Sequence, residues 1–223
     1  MSEGRSVYVH VDAWSTADQG PADRGIDVGL IAGAYRIRYA QIAVVASTEK
    51  LSGVQAGLLY SSCAFKRPNL PALQCAGVYA TSRSGMTIQG AALIAISGES
   101  TAVQAAGVYA CAHDVGVQLS GLAAEASRVS RVQAAVFAES ARVDKGALQG
   151  ALLYASCRNL QGLQIAPIAK ATRKSTGIQV GLFLYGPGQA WWNPSFFYQR
   201  LKEPHQGEGT LDRILDVLFS ART

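Results

Sequence analysis

A glutamine recurs through this chain at a spacing that a mixed globular domain has no reason to keep. It stands at Gln41, Gln55, Gln74, Gln89, Gln104, Gln118, Gln133, Gln149, Gln164 and Gln179, in steps of 14, 19, 15, 15, 14, 15, 16, 15 and 15 residues. One step earlier, in GIDVGLIAG (25–33), Asp27 holds the same place, 14 residues before Gln41. The single long step contains AFKRPNLP (64–71), which reads as an inserted loop. Eleven units of about fifteen residues are the mark of a stacked solenoid, in which each unit packs only on its neighbours.

Fifteen residues are too few for the pair of helices that a helical repeat needs to bury its faces. The units are rich in Val, Ile, Leu and Tyr and are separated by Ser, Thr and Gly clusters, which are strand and turn signals. The expected fold is therefore all-β: a parallel β-solenoid of about eleven coils stacked about 4.8 Å apart, on the order of 50 Å long. Charged residues are only 16% and glycines number 23, a composition that suits a narrow, closely packed interior.

Each phase of the repeat has its own chemistry. The residue before the marker is aliphatic in every unit except that of Ala40, as at Ile26, Val54, Ile88, Val103 and Leu148. The residue two after it is always small, from Gly29 and Ala43 to Ala166 and Gly181. The residue four after it is always apolar, as at Leu59, Leu93, Leu122, Phe137 and Phe183. Strict alternation cannot bring both apolar phases inside, because they differ by an odd number. A corner at the small residue would reconcile them, with both facing the core. Stacked glutamine amides can hydrogen-bond up and down their own column, so the marker reads as scaffolding.

Units such as GVQAGLLY (53–60), GALQGALLY (146–154) and GIQVGLFLYG (177–186) resemble those of the leptospiral-type bacterial surface-repeat proteins, built from G-[V/L]-Q-x-G-L units. The resemblance covers roughly residues 25–198 and includes an aromatic close, WWNPSFF (191–197). It implies a surface location and no established reaction. Taken alone, the chain lacks a basic segment followed by an apolar export signal, and it has no run of 18 apolar residues, so the expectation from the residues is a cytoplasmic protein without a membrane-spanning helix.

Both ends of the solenoid should be capped, since raw strand edges invite pairing. In residues 1–24, SVYVHVDAW (6–14) reads as a strand able to pair with the first coil, followed by a polar loop. The repeat domain spans 25–188. In 189–223 an aromatic segment with Trp191, Trp192, Phe196, Phe197 and Tyr198 reads as a plug over the last coil, or alternatively as a contact surface. A linker (202–209) then leads to a short amphipathic helix whose Leu211, Ile214, Leu215 and Leu218 share a face.

Three candidate surfaces emerge. Nine after the marker, Arg36, Lys50, Arg83, Arg142, Arg158 and Arg173 form a basic column. Its consecutive part, Arg142, Arg158 and Arg173 with Arg128 just before, would be a ridge for an anionic polymer or lipid, compatible with a net charge of +5. Five after the marker, Tyr60, Tyr79, Tyr109 and Tyr154 form a column whose parity points outward, where it would suit self-association or a glycan; turned inward it would be core. Glu99 and Asp114, with His113 beside them, are the best catalytic constellation, since carboxylates about 5 Å apart suit retaining glycoside hydrolysis. No GxSxG, GxxxxGK[ST] or HExxH sequence occurs. Cys63, Cys75, Cys111 and Cys157 have no zinc-ligand spacing and no pair within disulfide reach, so four free thiols, no metal and no cofactor are expected. The leading function is a non-catalytic scaffold or interaction module; the alternative is a carbohydrate-active enzyme of the β-helix type.

Overall fold

The computed structural model describes residues 9–11, 14–15, 23–66, 72–83, 87–173, 175–190 and 194–201. They form a parallel β-solenoid with no helix among the described residues. The expected helix over 210–223, the linker before it, and Trp191 and Trp192 lie outside these residues. Each glutamine pairs in parallel register with that of the next coil, from Gln41 with Gln55 to Gln164 with Gln179. These pairings carry the stack through about nine turns. The Asp27 unit lies directly beneath them, where Asp27 Oδ2 accepts a hydrogen bond from Gln41 Nε2 at 3.2 Å.

The ends close differently. The strand Val9–Val11 pairs in parallel with residues 26–28, and Trp14–Ser15 pairs with Ile31 and Ala32, so the N-terminal segment continues the stack as expected. At the other end Ser195–Arg200 pairs antiparallel with Ile178–Tyr185. The aromatic segment thus caps through its backbone. Among the described rings of the segment, Phe196, Phe197 and Tyr198 are 56–70% exposed, and Leu201 is buried beside them.

Inside, every marker glutamine is fully buried. Each Nε2 donates twice. One hydrogen bond goes to the Oε1 of the glutamine one coil before, at 2.7–3.1 Å. The other crosses the interior to a main-chain carbonyl six or seven residues on in the same coil, such as Ser62 O, Cys111 O, Glu125 O or Ser156 O, at 2.9–3.1 Å. The amide is therefore a strut between two walls as well as a rung of a ladder. A glutamine side chain is the full width of the interior, so the facing wall carries small residues, Ser61, Ala80, Ala95, Ala110, Ala124, Ala138, Ala155 and Ala169, until Leu184 takes the place on the last coil. Larger aliphatics, including Ile37, Leu51, Val129, Val143 and Leu160, fill the third side of the coil.

The two apolar phases are not in the core. The residue before the marker and the one four after it both face outward: Val54 is 40% exposed, Ile88 42%, Leu59 50%, Leu93 44% and Leu122 49%. With the marker inward, its neighbour in an extended strand must point out. The expected bend is present, just after the small residue, where the register breaks between Ala43 and Val45 and between Ala135 and Phe137. It carries the next apolar residue onto the outside of the second wall. Coils pass one another closely here: a Cβ on Gly107 would collide with the carbonyl oxygen of Ala92, and one on Gly121 with that of Gly107.

This division of labour predicts an inverted mutational profile. Gln118→Leu should destabilise the fold by about 3 kcal/mol or more, because it strands the buried partners Gln104 Oε1, Glu125 O and Gln133 Nε2. Leu122→Ser, at an exposed aliphatic site, should change stability by less than about 1 kcal/mol. Urea unfolding followed by circular dichroism checks both, and the opposite ranking would refute the strut.

Candidate functional surfaces

Coils of unequal length decide which side chains become neighbours. Val45, Tyr60, Tyr79, Ile94, Tyr109 and Ala123 pair in register, one on each successive coil. Further along, Phe137, Tyr154, Ile168 and Phe183 do the same. Tyrosines that lie five after their markers therefore share one column with residues that lie four after theirs. The four tyrosines face outward and are half-buried. Tyr60 and Tyr79 stack with ring centroids 5.6 Å apart and planes 2° from parallel. Tyr109 donates its hydroxyl to Glu125 Oε2 at 2.7 Å. Burial, and then that carboxylate, raise its pKa well above the ordinary phenol value. On the coils with tyrosine or isoleucine, Leu59, Val78, Leu93, Val108 and Leu153 project just before the column and are 39–51% exposed. The second wall thus presents two adjoining apolar columns to the outside.

The basic ridge does not form as one line. Arg128 donates to Asp144 Oδ2 at 2.7 Å, and Arg142 Nε stands 2.8 Å from Asp144 Oδ1. One carboxylate thus holds both guanidinium groups, with Arg142 also donating to Gln161 Oε1 at 3.3 Å. Arg142 pairs in register with Asn159, so Arg158 is offset from it by one position. Arg158 and Arg173 are exposed on neighbouring coils, joined by a backbone hydrogen bond of 2.8 Å. Lower in the stack, Lys50 Nζ lies 4.6 Å from the Tyr35 ring centroid and donates to its hydroxyl at 2.6 Å.

Glu99 and Asp114 are separated by a similar slip. The register shifts between Ser97 and Ser100, so Asp114 stands beside Ser100, with Glu99 in the irregular stretch. Asp114 pairs instead with Arg128 on the following coil. Both line an open groove of about 500 Å³ together with Ser100, Thr101, Ser130 and Arg131. Its mixed charge suits a polar contact; Glu99 and His113 are exposed and do not line it. No group of three or more metal-ligating side chains occurs among the described residues.

One feature escapes a reading by phases. Along the corner, three after the marker, the side chains run Leu58, Gly77, Ala92, Gly107, Gly121, Val136, Leu152, so the middle of the rod is hollow and its flanks are raised. The hollow is an apolar trough of about 610 Å³ over Gly90, Ala105, Gly107, Leu119 and Gly121, bounded at one end by Leu152. Its signal in the sequence is the size profile of this one phase, small in the central coils and large outside them.

No protein-family model matches the chain, and neither a curated protein nor a solved structure does.

All four cysteines are free, as expected. Cys63 and Cys157 are buried, Cys111 is half-buried and Cys75 is exposed. Burial pushes the Cys157 thiol from the ordinary 9.0 up to about 12 and also raises Cys111. At neutral pH, brief alkylation of the folded protein should label Cys75 first and leave Cys63 and Cys157 unlabelled, with four labels after denaturation. Because the folded pKa of Cys157 lies above the unfolded one, its contribution to stability is intact below pH 9 and is lost as pH rises towards about 12. Cys157→Ala should remove that share of the alkaline decline, and intact mass and alkaline unfolding curves check the two statements.

Proposed function

We propose that this protein is a non-catalytic scaffold that assembles side by side with a second copy of itself through the second wall. The observation behind this reading is the pair of outward apolar columns that runs the length of the rod. At roughly 70–80 Å² each for large side chains exposed by two-fifths to a half, the nine residues four after the marker from Leu59 to Phe183 present about 700 Å². A standard protein–protein interface covers about 800 Å² per partner. Exposed apolar patches above a few hundred Å² are where proteins meet partners. A flat β-wall stiffened from within loses little freedom on docking, which favours association.

A purely repetitive surface would accept a partner slipped by one coil. The aromatic positions break that equivalence: Tyr60, Tyr79 and Tyr109 cluster in one half of the stack, Phe137, Tyr154 and Phe183 in the other. An isologous pairing brings each patch against a defined partner patch. Surface display, as the repeat resemblance implies, and an anionic polymer at Arg158 and Arg173 fit the same rod as further uses. The alternative, a carbohydrate-active enzyme, would rest on Glu99 and Asp114, which stand on neighbouring coils offset by one register position.

The test is sedimentation velocity across a concentration series. A dimer should dissociate on dilution, and the double substitution Leu93→Asp with Leu122→Asp should leave only monomer with an unchanged circular dichroism spectrum. A wild-type protein that stays monomeric at every concentration would remove this proposal.

A further inference from the structure

The marker wall, which carries the glutamines inside, shows its outer face one residue before and one residue after each marker. From Ile26 to Val180 these outward positions hold no charged side chain, and the column before the marker is aliphatic in every unit but that of Ala40. We propose that this face is a second self-association surface, on which two copies of the rod lie antiparallel about a two-fold axis at Ala134. The inference does not depend on pairing through the second wall. Where both contacts form, each rod becomes a link in an open ribbon.

The column one after the marker sets the register. The parallel ladder aligns Gly90, Ala105, Leu119, Ala134, Gly150, Ile165 and Val180 one above another. Two copies of one wall that meet about a two-fold axis lying across both rods set each column against itself, run in reverse. With the axis at Ala134, Leu119 meets Gly150, Ala105 meets Ile165 and Gly90 meets Val180. Each large side chain faces a small one. The corner column repeats the match in the same register: Gly121 meets Leu152, Gly107 meets Pro167 and Ala92 meets Leu182. The trough of about 610 Å³ over Gly90, Ala105 and Gly107 is then filled by the ridge of Ile165, Pro167, Val180 and Leu182 from the second copy. Neighbouring registers fit worse. An axis one coil lower sets Leu119 on Leu119, and one half a coil higher sets Leu119 on Ile165. An axis half a coil lower leaves Ala105 facing Gly150 across a gap.

Two glycines support the contact independently. A Cβ on Gly90 would meet nothing within 4 Å, and one on Gly150 only the Gln133 carbonyl oxygen at 3.9 Å. The coil itself therefore has no steric need of glycine at either place, unlike at Gly107 and Gly121. Glycine inside a strand weakens it and marks a site where another backbone or a ligand comes close. The area is sufficient. Ile88, Val103, Leu119, Leu152, Ile165 and Leu182 are 36–73% exposed. At roughly 70–80 Å² for a large side chain exposed by two-fifths to a half, they supply about 450 Å² per copy. With the half-buried Val117, Val132, Leu148 and Leu163 between them, two copies cover about 1,000 Å², the low end for a specific interface.

The experiment uses the full chain with Cys75→Ser, which removes the exposed thiol, and Ala134→Cys. The protein is treated with a short bismaleimide at micromolar concentration and read by denaturing gel and peptide mass spectrometry. The expected product is a dimer joined at position 134 in both chains. Ala105→Cys alone should link poorly, whereas a mixture of Ala105→Cys and Ile165→Cys proteins should link across the two chains. Adding Gly150→Asp, which sets a carboxylate against Leu119 of the second copy, should lower the yield at position 134 about tenfold with an unchanged circular dichroism spectrum. Ile165→Asp, at an exposed site on another coil, should do the same. Absence of the product at position 134, equal yields from Ala105→Cys alone and from the mixture, or indifference to both aspartates would each overturn the proposal. Leu93→Asp with Leu122→Asp acts on the other wall and should leave the product intact, so the two proposals fail separately.

Discussion

The hydrogen bond from each glutamine Nε2 across the interior is the contact on which the rest of the solenoid depends. A buried primary amide that lacks partners is costly, and here one N–H is used vertically on the ladder and the other laterally on the opposite wall. The lateral bond sets how far apart the walls can stand. Along the stack below the last coil that distance favours alanine-sized side chains opposite, so Ala110 and Ala124 are completely or almost completely buried while Leu122 is half in solvent. The vertical bond sets the register, because a slip of one residue would turn the amide out and bring an aliphatic side chain into a space shaped for a polar one.

Stability in such a rod draws less on large buried side chains than an ordinary domain does. Its interior of alanine and glutamine offers closely packed backbone, a continuous amide ladder and little apolar volume. The larger aliphatics of the third side, Leu51, Val129, Val143 and Leu160, supply a conventional core along one edge only. The remaining apolar residues stand outside, as the interior has no room for them. A surface of this kind persists in a protein when something covers it, and both proposals above follow from that pressure applied to different flanks.

Much of this was legible in the glutamine spacing. Period, strand type, parallel stacking, the amide ladder and the bend beside the small residue all follow from residue chemistry at fixed phase. The parity that turned the tyrosines outward did not hold, because it placed the residue before each of them in the core, where Leu59, Val108 and Leu153 are exposed. What the spacing concealed was which side of the wall is inside. Aliphatic residues at one phase and amides at the next are equally regular, and apolar content argues for the wrong one. Only the wall-to-wall hydrogen bond decides it, and that contact joins parts of a coil whose bend angle no pattern states. Counting by phase also assumed coils of equal length. Steps of 14, 15 and 16 residues insert or remove one residue at a corner. That slip joins Tyr154 to Phe137 and Ile168, detaches Arg158 from Arg142, and parts Glu99 from Asp114.

The ladder also has a direction. From Gln41 to Gln179 every amide donates towards the N-terminal coil, the lowest rung ends on a carboxylate that only accepts, and Gln179 Oε1 is left without a partner among the described residues. Each coil therefore offers its successor the same socket that it found in its predecessor. Duplicating or deleting one whole unit preserves every joint, whereas duplicating half of one would turn the column inside out. Lineages that lengthen or shorten such a rod must do so in whole graduations of about 4.8 Å, which makes the molecule a ruler whose marks are copied with its genes.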